Sequence, residues 1–237
     1  MIVSNAASSE IIRVTWIDLD KIVDLPALRA SLSAEDRERA DRAATPLLHR
    51  RAVVRFAQYR DIAANVFGVS HRSITLGREA DGRRFALSDD DQRRLEMSTS
   101  HCEDIGVVAT SWTHKLGIDV ERAFESKSPT RFRSWVASDD ELREVMTLEA
   151  SQRDRAFVRL WTRKEAFLKA TGEGVGSGMR HLRVPLESDV WGRAYAPTLT
   201  SPEWWWYALG CKRADFDAAL VASRRGRKAP KVVIACS

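Results

Sequence analysis

Two long amphipathic stretches most constrain what this chain can fold into. From Leu47 to Phe67 the apolar residues Val53, Val54, Ala57, Ile62, Ala63 and Val66 recur at three- and four-residue steps, and Gly68 follows as a stop. Gln152 to Ala170 forms a second such stretch, stopped by Gly172. Ser33 and Ser138, each followed by acids, read as N-caps of two further helices, one over Ser33 to Arg42 and one over Ser138 to Leu148. Between the helices lie short segments with strand character: Ile11–Leu19, Ser73–Leu76, Phe85–Leu87, Met97–Ser100, Ile105–Ser111 and Lys115–Glu121. Trp204–Gly210 and Phe216–Ala222 read as a closing hairpin, with the triple Trp204-Trp205-Trp206 alternating between core and surface rather than stacking bases. Helices followed by short strands, met once and then again, predict an α+β fold, with a boundary near residues 110 to 115 and units 1–112 and 113–237.

Composition narrows the function classes. The chain has 237 residues, 44% hydrophobic and 30% charged, which supports a substantial core and excludes a disordered chain. No apolar run is long enough to suggest a membrane span, and the first residues carry neither the basic nor the apolar region of a signal peptide, so a cytoplasmic protein is expected. Cys102, Cys211 and Cys236 are too few and too scattered for a disulfide framework or a zinc site. The net charge of +5 suits nucleic acid, phosphate-bearing small molecules or an acidic protein partner equally well. The basic cluster Arg224 to Lys228 has no interleaved aromatics and reads as a solvated loop, so no nucleic-acid partner is expected. Thr171 to Gly178 reads as a flexible loop.

Asp119 and Glu121 stand two apart in the predicted strand Lys115–Glu121, so their carboxylates project from one face. Paired acids repel unless a cation neutralises them, and an oxygen-only set suits magnesium or manganese sharing its remaining positions with phosphate oxygens. In the second long helix, Glu165 and Lys169 lie one turn apart on one face. That pair is either a plain helix-stabilising contact or a third acid with an ammonium placed for a phosphate.

The two motifs Gly117-Ile118-Asp119-Val120-Glu121 and Trp161-Thr162-Arg163-Lys164-Glu165-Ala166-Phe167-Leu168-Lys169 together resemble the paired signature of 4′-phosphopantetheinyl transferases. The resemblance extends to the larger, surfactin-synthetase (Sfp) type. Leu32 to Ala40 is similar to that type's first helix, Arg51 and Arg60 match an arginine spacing in its second, and Ser98-Thr99-Ser100-His101 is similar to its central S-x-S-H motif. The chain departs from the pattern at Arg84, where a proline is usual, and at Cys102, where Ser or Thr is usual.

The resemblance implies two similar α/β halves related by a pseudo-twofold, acting as a monomer, with coenzyme A in the cleft between them. The implied reaction moves 4′-phosphopantetheine from coenzyme A to a serine of an acyl, peptidyl or aryl carrier protein of fatty-acid, polyketide or nonribosomal-peptide type, releasing 3′,5′-ADP. By residue-for-residue carry-over, Asp119, Glu121 and Glu165 hold magnesium or manganese, and Lys169 contacts the pyrophosphate. Arg51 and His101 contact the 3′-phosphate, Arg39 is a further phosphate contact, Arg83 lies near the adenine, and Ser100 belongs to the same donor site. The serine proton goes to Glu165 or to a metal-activated water, with Asp140 or Glu141 similar to an acid that places this water. A non-catalytic carrier-binding module of the same fold is the alternative. His49, His71, His114 and His181 show no metal-ligand spacing, and Cys102 beside His101 makes a weak nucleophile signal.

Overall fold

The computed structural model describes residues 10–90, 93–123, 130–174, 179–184, 186, 191–194, 204–211, 213–223 and 229–236, with side chains of 130–132 and 191–194 left aside. Strand β1 (Ile11–Asp18) leads into helices α1 (Leu25–Ser31), α2 (Ala34–Asp41) and α3 (Pro46–Phe67). Strands β2 (Ile74–Arg78), β3 (Arg84–Ser88), β4 (Arg94–Cys102), β5 (Ile105–Ser111) and β6 (Leu116–Arg122) follow. Then come α4 (Thr130–Val136), α5 (Asp139–Thr147), α6 (Ala150–Thr171), β7 (Trp191–Ala194), β8 (Trp204–Leu209), β9 (Phe216–Ser223) and β10 (Lys231–Cys236). The mixed α+β class is as the sequence predicts. No helix among the described residues is long and apolar enough to cross a membrane.

The strands form two sheets, ordered β10-β1-β5-β4-β3-β2 and β6-β9-β8-β7. All pairings are antiparallel except that of β10, which returns from the chain's end to lie parallel to β1. Side-chain alternation sets the layers. Val108 packs with Val53, Phe56 and Ala57 of α3, whereas its neighbours Val107 and Ala109 pack with Ile118, Val120, Phe216 and Leu220 of the second sheet. On the far side of that sheet, Trp204, Trp206, Ala219 and Val221 meet Phe157, Leu160 and Phe167 of α6. The order is helix, sheet, sheet, helix.

Helix ends follow their sequence signals. Ser33 and Ser138 accept from the backbone N–H groups of Asp36 and Glu141, and Gly68 and Gly172 adopt left-handed φ of 75° and 82°. Helix α1 was not anticipated: Asp24 caps it and Pro26 sits in its first turn, where a missing N–H costs nothing. Strand β10 and the short elements α4 and β7 were likewise not expected. The basic cluster Arg224 to Lys228 lies outside the described residues, as does part of the loop after Gly172.

Strand β6 divides its faces. Leu116, Ile118 and Val120 enter the apolar layer between the sheets, so Gly117, Asp119 and Glu121 face α6. A Cβ on Gly117 would stand 1.8 Å from the Ala166 carbonyl oxygen and 2.5 Å from the Ala170 nitrogen. Only glycine lets strand and helix backbones approach this closely.

A second contact fixes α6 against α5. Lys164, fully buried, donates from Nζ to Glu141 Oε2 at 2.6 Å, to the Val136 carbonyl at 2.9 Å and to the Met179 carbonyl at 3.2 Å. Glu141 also receives the Ser138 N–H at 2.8 Å, completing a capping box. Burial pushes the Lys164 pKa down against the pull of Glu141.

Both contacts predict measurable costs. Gly117→Ala forces backbone apart and should destabilise the fold by about 3 kcal/mol, the upper end of overpacking, read by denaturant unfolding; an unchanged midpoint would contradict the close approach. Lys164→Met leaves Glu141 buried and unpaired and should cost about 3–5 kcal/mol, most of it recovered in Lys164→Met/Glu141→Leu. A double variant no more stable than the single one would show that the pair is not the source of the loss.

Candidate active site

A cleft of about 720 Å³ opens between the two sheets, lined on one side by β6 and α6 and on the other by residues of α2, α3 and the β2–β4 region. The S-x-S-H motif of β4 serves both sides through its alternation. Ser98 Oγ accepts the Ile118 N–H at 3.0 Å, tying β4 to β6. Ser100 Oγ donates to Asp119 Oδ1 at 2.7 Å. Thr99 bonds to the Tyr59 hydroxyl, and the Arg55 guanidinium donates to His101 Nε2.

Close approach at Gly117 brings the two acidic motifs together. Asp119, 2% exposed, takes Lys169 Nζ on Oδ1 at 2.6 Å, and the same ammonium reaches the Ile118 carbonyl and Ser100 Oγ, each at 3.2 Å. Cys102 Sγ–H and the Trp161 side chain donate to Glu121. Glu165 faces the cleft one helical turn before Lys169.

Three carboxylates thus share one lysine. Burial holds Asp119 above its ordinary pKa although Lys169 and Ser100 oppose the shift. Burial, then the neighbouring Asp119, raises Glu121. Burial and the charges of Asp119 and Glu121 push Glu165 up to about 7 in spite of Lys169.

The opposite wall is cationic. Arg39, Arg55, Arg78, Arg83, Arg84 and His101 line it around Tyr59. Arg39 pairs with Glu35 at 2.9 Å and Arg83 with Asp81 at 2.7 Å. Desolvation by the cleft wall, then Arg55, Lys169 and Arg84, hold the His101 pKa down at about 4, so its imidazole is neutral near pH 7.

Of the residues singled out from sequence, Asp119, Glu121, Glu165, Lys169, Ser100, His101, Arg39 and Arg83 meet in this cleft. Arg51 does not: its guanidinium forms a two-pronged pair with Asp20, Nε–Oδ1 2.8 Å and Nη2–Oδ2 2.5 Å. Arg55, one turn further along α3, lines the cleft instead. Arg60 donates to the Ile74 carbonyl at 3.2 Å and also lies off the cleft lining. Neither Asp140 nor Glu141 lines the cleft; Glu141 holds Lys164, and Asp140 pairs with Arg143 and Arg183 at the surface. Burial raises the Cys102 thiol to about 11, which leaves it protonated and a poor nucleophile.

Sequence reasoning did not single out Arg55 and Tyr59. Their positions at i+4 and i+8 from Arg51 place them along one stripe of α3, a signal that helical spacing alone carries. Trp161 was quoted as part of a motif, but its contact with Glu121 joins residues forty positions apart.

The acids suit a hard divalent cation in donor chemistry. They supply only oxygens, and Asp119 Oδ2 is buried without a hydrogen-bond partner. As the side chains stand, no group of three His, Cys, Asp or Glu among the described residues is gathered closely enough to hold an ion, and Lys169 occupies the other Asp119 oxygen. The donor types fit; their approach to a common ion would require Glu121 or Glu165 to turn inward.

Comparison with known proteins bears on this cleft. The model of the 4′-phosphopantetheinyl transferase superfamily matches residues 115–221, the segment carrying Asp119, Glu121, Glu165 and Lys169. The 4′-phosphopantetheinyl transferase HetI of Nostoc sp. is 31% identical over 158 residues, 64% of this chain and 64% of its own. The 4′-phosphopantetheinyl transferase of Bacillus subtilis is 26% identical over 164 residues, 68% of this chain and 70% of its own, and psf-1 of Bacillus pumilus is 26% identical over a similar span. The matched region thus spans just under two thirds of the Nostoc relative and of a Synechocystis one. The matched segment is the one that builds the acidic wall, and over it the chain is similar to the 4′-phosphopantetheinyl transferase superfamily.

Proposed function

We propose that this chain transfers 4′-phosphopantetheine from coenzyme A to a serine of a carrier protein, releasing 3′,5′-ADP. The observation that carries the reading is the meeting of Asp119, Glu121, Glu165 and Lys169 on one wall of a cleft whose other wall is cationic. A donor with a diphosphate at one end of a nucleotide suits that division of charge. Magnesium or manganese, held by Asp119, Glu121 and Glu165, would neutralise charge on the diphosphate.

The chain's own groups supply the rest. Serine Oγ attacks the phosphorus that bears pantetheine, the P–O bond to the 5′-phosphate of 3′,5′-ADP breaks, and the serine proton passes to Glu165 directly or through a water. Lys169, drawn from Asp119 by a more negative partner, holds the charge on the departing phosphate. Ser100 keeps Asp119 oriented while Lys169 moves, and Cys102 and Trp161 do the same for Glu121. Arg39, Arg83 and His101 receive the nucleotide part of the donor.

A long helix on the outer face of each sheet supports two halves, 1–112 and 113–237, related by a pseudo-twofold as in the larger surfactin-synthetase type, working as a cytoplasmic monomer. The net charge of +5 favours an acidic acyl, peptidyl or aryl carrier as acceptor.

Incubation with coenzyme A, magnesium and an apo carrier protein tests this directly. Intact mass should show the carrier gaining one phosphopantetheine arm. Glu165→Ala should lower the rate by about a hundred- to ten-thousandfold, the range for losing a general base, without loss of folding. A carrier that binds but gains no mass would identify a non-catalytic module instead.

A further inference from the structure

The Lys169 ammonium has three N–H groups and meets three oxygens: Asp119 Oδ1 at 2.6 Å, and the Ile118 carbonyl and Ser100 Oγ, each at 3.2 Å. An oxygen set of that kind is what a hard cation also takes. Asp119 Oδ1 receives the Ser100 hydroxyl as well, at 2.7 Å. The other carboxylate oxygen, Oδ2, is buried and has no hydrogen-bond partner. While the ammonium stays, an ion from solution can reach neither oxygen, because Lys169 covers one and the protein encloses the other.

Moving Lys169 within the free protein does not open the site. Its charge also acts on Glu121 and Glu165, so an ammonium that leaves Asp119 for either one engages a second acid of the set. Only an anion from outside can hold it and leave all three acids free. The Lys169 side chain is 32% exposed against 3% for Asp119, so the ammonium, not the carboxylate, can turn into the cleft. A diphosphate accepts strongly from an ammonium placed there. We propose, resting on the transferase reading, that Lys169 is a specificity-determining residue for the cation: in the free protein it holds Asp119 against a divalent ion that comes alone, and it yields when a diphosphate takes the ammonium. Metal and donor then bind as a pair, each strengthening the other by the same factor.

Manganese binding to the full chain without carrier protein, read from the paramagnetic resonance signal of the free ion, tests this. Wild type should bind manganese weakly by itself and more tightly once coenzyme A is added. Lys169→Met should bind manganese alone about ten- to a hundredfold more tightly than wild type, the effect of removing a charge-assisted contact that competes for the same oxygen. Coenzyme A should then add less. Without metal Lys169→Met should melt below wild type, since Asp119 has lost its cation, and manganese should raise its melting temperature more than that of wild type. Lys169→Gln, which keeps an N–H for Asp119, repeats the comparison with a smaller loss of stability. Arg78→Met removes a cation from the opposite wall and should leave manganese affinity close to wild type.

Unchanged manganese affinity in both Lys169 variants would overturn the proposal, because the ammonium would then not compete with the ion. An equal gain in Arg78→Met would overturn it too, by assigning the effect to the general field of the cleft. Carrier modification by wild type is followed separately with magnesium. Tighter manganese binding in the Lys169 variants, beside a wild type that transfers no arm, would refute the transferase reading and leave the exclusion of the lone ion standing. Transfer by wild type, with manganese affinity indifferent to Lys169, would do the reverse.

Discussion

The backbone contact between β6 and α6 at Gly117 determines the separation of every charged group on the acidic wall. Gly117, Asp119 and Glu121 share a face of the strand, so the closeness that glycine permits at one position is inherited by the carboxylates two and four residues on. On the helix, Ala166 and Ala170 make room for the strand, while Glu165 and Lys169 flank the same contact. The opposite face of β6, apolar from Leu116 to Val120, seals it against the first sheet. A strand whose two faces have different duties can move toward neither neighbour without exposing the other.

Around that contact, charge is segregated rather than scattered. Acids sit with Lys169 on one wall, arginines on the other, and Tyr59 and the S-x-S-H strand lie between them. A ligand with two separated anionic groups and an accompanying cation would meet a complementary field at both ends, which favours its orientation as well as its binding. Buried ionic groups whose partners arrive only with substrate cost stability in the free protein, and the depressed pKa of Arg84, about 10, and the raised one of Glu165, about 7, mark that cost on each wall. The apolar layers above and below, from Ile12 to Leu220, offset it.

Much of this was legible in the sequence because local rules fix it. The long helices, their glycine stops, the serine caps and the two acidic motifs all follow from spacing within a few residues. Contacts between distant segments were harder to read. Arg51 was expected in the cleft on its spacing from Arg60, but Asp20, thirty-one positions earlier in the chain, captures it. Glu141 was weighed as an acid that places a water; its burial beside Lys164 shows instead a structural pair, which neither residue's own neighbourhood in sequence signals. Strand β10 was missed because its pairing with β1 joins the two ends of the chain. The match of residues 115–221 to the superfamily falls on the half whose motifs were clearest.

The central claim, that three carboxylates are crowded onto one lysine, is tested most directly by the pH dependence of stability without metal. Glu165 retains its proton up to about 7 in the folded state against 4.5 as an ordinary carboxyl, so between these values folding takes up a proton and stability falls as pH rises. Asp119 and Glu121 act in the same direction. The lowered carboxyls of Asp20, Asp41, Asp81 and Asp215 exert their effect around and below pH 3.8, and His101, held at about 4 against 6.5, works the opposite way below 6.5. Comparing wild type with Glu165→Gln by denaturant unfolding from pH 5 to 8 cancels these shared contributions. The variant should gain stability relative to wild type as pH rises from 5 towards about 7 and level off above it; a difference independent of pH would mean that Glu165 ionises as an ordinary carboxylate and that the crowded wall does not exist.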